Sequence, residues 1–355
     1  MKKILVINPF GVGDVVFTFP LIRALKKTYP DSSIRYLCNS QVEPILKNNH
    51  DINELLFYSR GDLKKIKQKS LLSYIRKIVE AVWNLKKINF DLAVDLSLVS
   101  QYSFILWLVG VKKRYGFDSR GRGFFLTDKI VLSGFKNKHV VEYYRDLLAK
   151  VGINSFEKSA ELAVADEDKT FADDFFKNHG LTEQDIVIGL AAFGGESWGT
   201  NAKNKHWPLE KYARLSQKII DRFGAKIILF GTQKEKNLAE KLIRIAGSKN
   251  IIDAVGKTSL GQLMGIIEKL NLFIGNDGGP LHIAAGLGVK TVSIFGPVDE
   301  KIYGPIGNPA RHSVICKDLS CRPCYKDFKI SGCEKMDCLI QINEDEVLKA
   351  VESLL

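Results

Sequence analysis

The chain has 355 residues, 45% of them hydrophobic, and its 52 Lys/Arg against 40 Asp/Glu give a net charge of +12. This supports a folded protein of two ordinary domains and excludes a disordered chain. No run approaches the ~18 apolar residues that cross a bilayer, and no charged-then-apolar secretion signal opens the chain, so a cytoplasmic protein is expected.

Lys3-Ile4-Leu5-Val6-Ile7 reads as a short buried strand. Gly11 and Gly13 follow, residues that permit close backbone approach. Asp14 then stands before a helix with Val15, Phe19, Ile22 and Leu25 at helical spacing. A dinucleotide fingerprint fails here, because Val16 occupies its third glycine position, and no Lys-Ser/Thr follows to make a P-loop. Two roles stay open for Asp14 at this point, helix N-cap or a functional carboxylate. Farther on, the pattern predicts a strand at Ile34–Cys38, a helix at Leu71–Leu85 and a buried strand at Leu92–Leu96 near Asp95. Val140–Val151 is an amphipathic helix, with Tyr143, Tyr144, Leu147 and Leu148 on one face. Cys38 at its strand end is a small core residue.

The charge is uneven. Residues 1–154 hold 26 Lys/Arg and 13 Asp/Glu, a net +13, and the remainder nets −1. The excess clusters in Arg60–Lys87, in Lys112-Lys113-Arg114 and at Arg120 and Arg122. Such a field suits nucleic acid, a phosphorylated glycolipid or an acidic membrane surface. A solvated basic face is the plain alternative.

A second alternating run begins near residue 185, after a joining segment at 154–184. Strands are expected at Ile186–Ala191, Lys226–Phe230, Ile251–Ala254, Leu272–Gly275 and Thr291–Phe295. Helices are expected at Leu209–Phe223, Glu235–Ala246, Leu260–Leu270 and His282–Leu287. A last helix, Glu344–Leu354, is free to pack on either half. Alternation of this kind implies α/β domains, parallel sheets covered by helices on both faces. Ligands of such sheets lie beyond the carboxyl ends of the strands, so two domains place the natural site in the cleft between them.

The stretch LFIGNDGGPLHIAAGLGVKTVSIFGP, residues 272–297, ends a strand in a glycine turn and opens a helix near Pro280. Backbone N–H groups of Gly278, Gly279 and Leu281, with the helix dipole, suit a diphosphate. Lys203 and Lys205, in ESWGTNAKNKHWP (196–208), can neutralise phosphate charge. The strand-end loops Gly231–Glu235 and Gly256–Ser259 can hold a ribose and a base. Cys316, Cys321, Cys324, Cys333 and Cys338 crowd 23 positions, and Cys321-x-x-Cys324 with Cys333 and Cys338 has the makings of a tetrahedral zinc site. Against it, the second pair is spaced x4 and five thiols leave one over.

These residues carry a resemblance. GNDGGPLHIAAGLGVKTVSIFGP (275–297) resembles the Asp-Ser/Thr-Gly-Pro-x-His block of the ADP-heptose:lipopolysaccharide heptosyltransferases, glycosyltransferase family nine. NPFGVGDVVFTFPLIRALKKTYP (8–30) resembles that family's opening, and HVVEYYRDLLAKVGI (139–153), ESWGTNAKNKHWP, DAVGKTSLGQL (253–263) and the Cys-Arg-Pro-Cys segment match interior blocks in order. The resemblance implies a GT-B fold, two Rossmann-like domains facing across a cleft. An acceptor-binding domain would span 1–165 and a donor-binding domain 166–355, with the C-terminal helix able to return to the first. It also implies inverting, metal-independent transfer of heptose from ADP-heptose to the inner core of lipopolysaccharide, with no cofactor required.

Carried over residue by residue, Asp14 is similar to the family's general base and Lys205 to its donor-phosphate lysine. Glu235 matches the ribose-binding acid, and Asp277, Gly278, Gly279 and His282 fall in the diphosphate block. Gly13, Arg120 and Arg122 are candidate acceptor contacts, together with Lys64, Lys65 and Lys67. The family's usual Ser/Thr after the aspartate is Gly278 here, which removes a hydroxyl contact to phosphate. The implied partners are the nucleotide sugar, an anionic glycolipid and the cytoplasmic face of the inner membrane, bound peripherally, with no nucleic acid. Two alternatives remain open: transfer of another nucleotide-diphosphate sugar or to another glycan or protein acceptor, and a non-enzymatic nucleotide- or nucleic-acid-binding module.

Overall fold

The computed structural model describes residues 1–57, 66 and 68–355. The chain divides into two compact units, Met1–Phe135 with Val140–Glu157, and Lys136–His139 with Lys158–Leu355. Each is built on a six-stranded parallel sheet.

In the first unit the strands are β1 (Lys3–Ile7), β2 (Ser33–Cys38), β3 (Glu54–Phe57), β4 (Leu92–Asp95), β5 (Lys113–Asp118) and β6 (Asp128–Val131), in the spatial order β3-β2-β1-β4-β5-β6. The apolar run of β1 is buried because strands flank it on both sides and helices cover both faces. β3, β5 and β6 escape the sequence pattern. In β5 the charges of Lys113, Arg114 and Asp118, together with Gly116, break up an otherwise largely buried run, and the edge strands β3 and β6 are half-exposed or exposed. Strand order reverses between β1 and β4, and the Asp14 loop follows β1 at that switch point. This is where open α/β sheets take ligands.

In the second unit β7 (Val187–Ala191), β8 (Lys226–Leu229), β9 (Ile251–Asp253), β10 (Leu272–Asn276), β11 (Lys290–Ile294) and β12 (His312–Ile315) lie in the order β12-β11-β10-β7-β8-β9. Here the switch point falls between β7 and β10. The segment expected to join the halves contains a helix, Asp166–Asn178, that belongs to this unit. Phe175, Phe176 and Ala172 are its buried side. It lies against the helix Leu260–Glu268, and a Cβ on Gly261 or Gly265 would run into Asp168, so only glycine permits that approach. The C-terminal helix Glu344–Leu354 packs within the second unit. Val347, Ala350 and Val351 enter its core, and Arg214 and Lys218 of the helix Leu209–Phe223 pair with Glu344 and Asp345.

Candidate functional site

The second unit concentrates charge and hydrogen bonding at its switch point. β10 ends in Asn276, and Asp277 follows it; the loop after β7 carries Lys205. Lys205 Nζ donates to Asp277 Oδ2 at 2.6 Å, a pair with side chains only 12% and 9% exposed. His282 Nε2 lies 3.6 Å from Asp277 Oδ1. Burial alone would raise the Asp277 carboxyl, but the Lys205 charge and the His282 contact outweigh it and hold it at about 2. A pair this dry forms only when its remaining polar groups are satisfied. Asn276 supplies part of that frame: its Oδ1 accepts from Trp207 N and the Tyr212 hydroxyl, and its Nδ2 donates to Ala192 O.

The helix Gly279–Gly286 starts beside this pair, with Gly278 as its N-cap and Pro280 in its first turn. Its backbone ladder opens with His282 N donating to Gly278 O at 3.4 Å, so Gly278, Gly279 and Leu281 carry the N–H groups ahead of it. Gly278 is extended (φ −176°), and an added Cβ would meet only Asn276 O at 3.9 Å. Glycine at 278 is therefore required neither by backbone conformation nor by the chain's own packing.

The loop leaving β7 turns through Gly194 (φ +106°) and Gly195 (φ +80°), conformations that favour glycine. Gly194 N donates to Glu235 Oε1 at 2.7 Å, and His206 Nε2 donates to Gly194 O at 2.7 Å. Glu235 also accepts from Thr232 N at 2.7 Å, closing a capping box on the turn Gln233–Glu235. Its carboxylate thus ties two strand-end loops together. Trp198 was not singled out by the sequence reading, yet Lys205 Nζ lies 4.2 Å over its ring, and Tyr325 stacks on it at 5.2 Å. Such a face favours a cation and helps fix the lysine's position.

Tyr325 is brought there by the cysteine-rich segment. Arg322 pairs with Glu300 at 2.7 Å and donates to Val298 O, and Cys324 N donates to Pro297 O. Cys338 is turned into the core, and burial pushes its thiol up to about 11. Cys321 and Cys333 are exposed, and the Cys324 thiol donates to Cys321 O. Cys324 and Cys338 feel the charges of Cys321 and Cys333, and among the described residues no group of three His, Cys, Asp or Glu side chains is gathered that could hold a metal ion.

In the first unit Asp14 lies in the first turn of the short helix Val12–Val16, and the N-cap is Gly11. The N-cap reading of Asp14 is thereby corrected: the cap falls three residues earlier and has no side-chain bond. Asn8 is fully buried and locks the loop, donating from Nδ2 to Asp14 O at 3.1 Å and accepting from Phe10 N. Burial holds the Tyr36 and Tyr144 hydroxyls well above the ordinary phenol range, and the Asp14 charge raises both further. Tyr36 in turn bonds Thr18 at 2.9 Å. Asp14 is half-buried in this short helix, near enough to the two buried phenols for its charge to act on them. A Cβ on Gly11 would meet nothing within 4 Å, and Gly13 is part of the same short helix.

Arg120 and Arg122 stand exposed on the turn after β5, with Arg120 at φ +58°. Asp118 braces this turn, accepting from Gly123 N and Lys129 Nζ. Lys64, Lys65 and Lys67 lie outside the described residues.

Asp95, at the end of β4 across the switch point, is a further buried carboxyl. Burial pushes it up to about 6 although Ser97 donates to it. A carboxyl raised in the fold contributes stability that is full below about pH 4 and lost as pH rises through about 6. Asp95→Asn keeps an acceptor for Ser97 and removes that loss. Thermal unfolding across pH 4–7 should show wild-type stability falling by about 2–3 kcal/mol more than the variant's.

The comparisons with known proteins agree with this arrangement. The model of glycosyltransferase family 9 (heptosyltransferase) matches residues 78–334. The chain is 25% identical over 364 residues to lipopolysaccharide heptosyltransferase 2 of Escherichia coli (strain K12), covering 99% of this chain and 98% of that protein. A family 9 glycosyl transferase from Veillonella parvula superposes with a TM-score of 0.81 at 25% identity, covering 99% of this chain and 97% of that one. The fold is shared by the E. coli ADP-heptose lps heptosyltransferase II, with a TM-score of 0.75, 23% identity, and coverage of 100% and 98%. Two Rossmann-like parallel sheets of the GT-B type, with a family model spanning most of the chain, lead to one conclusion: the protein belongs to glycosyltransferase family 9, the heptosyltransferase family, and is a glycosyltransferase.

Proposed function

We propose that the protein transfers heptose from ADP-heptose to the inner core of lipopolysaccharide, by an inverting displacement that needs no divalent metal or other cofactor. The observation that carries this reading is the buried Lys205–Asp277 pair beside the helix start at Gly278–Leu281. It is a place built for a diphosphate, with a fixed cation and aligned N–H groups where a leaving group gathers negative charge. Asp277 orients Lys205 and His282 from behind. Glu235, which joins the two strand-end loops, keeps lone pairs for a ribose hydroxyl.

In the first unit Asp14 serves as the general base that takes the acceptor hydroxyl proton. Attack on the anomeric carbon from the face opposite the diphosphate inverts its configuration in one step. The new C–O bond forms as the bond to the ADP oxygen breaks. Gly13, Arg120 and Arg122 contribute to the acceptor side, where exposed guanidinium groups suit the phosphates and carboxylates of an inner-core glycolipid. A lipid-anchored acceptor places the enzyme peripherally on the cytoplasmic face of the inner membrane; no helix among the described residues is long and apolar enough to cross it. Nucleic acid is not a partner in this reading.

A panel of nucleotide sugars, each incubated with core-truncated lipopolysaccharide in EDTA, tests it by nucleotide release. ADP-heptose should be the donor consumed, at a rate unchanged by the chelator. Consumption of a different nucleotide sugar, a replacement that Gly278 in the diphosphate block makes pertinent, would move the donor assignment. Activity abolished by EDTA and restored by Mg²⁺ or Mn²⁺ would remove metal independence.

A further inference from the structure

We propose that the outer face of the first unit, formed by the helices Leu71–Ile88 and Ser100–Leu108 and the turn at Phe124 and Phe125, docks on an anionic phospholipid surface. It deepens the proposed function, which supplies a reason for the enzyme to meet lipid; the surface itself rests on the residues below.

Both helices pack on one core cluster. Val82, Leu85 and Ile88 of the first and Tyr102 and Leu106 of the second meet Leu5, Ile7 and Ala93 of the sheet. Their outward sides therefore share one side of the unit. The helix Leu71–Ile88 has a second apolar stripe turned away from that core. Leu72, Ile75, Val79 and Trp83 are all exposed, Leu72 at 81% and Trp83 at 55%. At about 100° per residue, Leu72, Val79 and Trp83 fall within roughly 40° of one another. Arg76, Lys86 and Lys87 flank them, and Lys87 Nζ sits 3.2 Å over the Trp83 ring. Glu80 is the helix's one acid against four cations.

The neighbouring helix repeats the arrangement. It has no charged residue, and Phe104, Trp107 and Leu108 are exposed on it. Phe125 packs between Phe104 and Trp107 at 5.0 and 5.7 Å, and Phe124, 79% exposed, extends the aromatic group. Lys112, Lys113, Arg120 and Arg122 lie exposed along the chain on either side.

Scattered apolar side chains are ordinary on a protein surface, but nine of the sixteen exposed large hydrophobics among the described residues fall on these three segments. Apolar and indole side chains ringed by cations match a headgroup boundary: the rings enter the interface and the cations meet lipid phosphate. The +13 charge of residues 1–154 selects an anionic surface over a neutral one.

The test uses the full chain and vesicles of phosphatidylglycerol and phosphatidylethanolamine, free of lipopolysaccharide, against vesicles of phosphatidylcholine. Wild type should sediment with the anionic vesicles at about 0.05 M salt. A part of that binding should survive about 0.5 M, where the Debye length is about threefold shorter. The variant Leu72→Ser/Val79→Ser/Trp83→Ser should bind about tenfold or more weakly and lose the salt-resistant part, because three apolar contacts are gone. Arg76→Glu/Lys86→Glu/Lys87→Glu should lose the low-salt binding. Wild-type melting temperature and ADP binding in the serine variant would show that it folds. Equal binding of the serine variant, or equal affinity of wild type for both vesicle types, would overturn the proposal. So would a serine variant that turns a dimer into monomers while vesicle binding is unchanged. Because the vesicles hold no acceptor, a failure of sugar transfer leaves this outcome readable.

Discussion

Asp14→Asn should lower turnover about 10²–10⁴-fold, the usual contribution of a positioned general base. The substitution keeps the side chain's size. Stability should change by less than about 1 kcal/mol, the scale of one carboxylate in the first turn of a helix, since the N-cap is Gly11 and Asp14 stands three residues inside it. ADP affinity should stay near wild type, because the residues proposed to hold the donor belong to the second unit. Melting temperature, ADP binding and single-turnover rate on the one variant separate the roles. A stable Asp14→Asn enzyme that binds ADP and transfers sugar within a few-fold of wild type would remove Asp14 as the base.

Lys205→Ala should lower turnover about 10²–10³-fold, the loss expected for one fixed donor to developing charge, and should weaken ADP binding with it. It should also destabilise the protein by about 3–5 kcal/mol, because Asp277 is left buried without its main counter-charge. Those effects have to be told apart. The double variant Lys205→Met/Asp277→Asn removes both charges and should recover most of the stability, as neutral replacement of a buried pair is often close to neutral. If Lys205 holds the diphosphate, the double variant folds well and still binds ADP poorly. Recovery of ADP affinity together with stability would make the pair purely structural.

Much of this architecture could be read along the chain, and the exceptions have physical causes. Buried parallel strands such as Leu272–Asn276 and the helices Leu209–Phe223 and Glu344–Leu354 announce themselves by apolar runs and period. Lys113–Asp118 does not, because charge and a glycine break its run, and only pairing with β4 and β6 makes it a strand. The helix Asp166–Asn178 looks like a linker because acids crowd its first turn, and its apolar side is three phenylalanines and an alanine.

The site divides in the same way. Lys205 and Asp277 each stand in a legible motif, yet their bond spans 72 positions and exists only because β7 and β10 are neighbours at the switch point. Trp198 under Lys205 and Tyr325 under Trp198 depend on a loop-to-loop approach that no local pattern encodes. The misplacement of the cap at Asp14 is a matter of three residues. A glycine with no side chain to offer occupies the cap, and composition alone favours the acid.

The central claim, transfer of a heptose from ADP-heptose to lipopolysaccharide inner core, meets its most direct test in the product itself. Purified protein, ADP-heptose and heptose-free core acceptor should yield, by mass spectrometry, acceptor heavier by one heptose with one ADP released per transfer. ADP release with unmodified acceptor, or intact donor under conditions where the folded protein binds ADP, would contradict it.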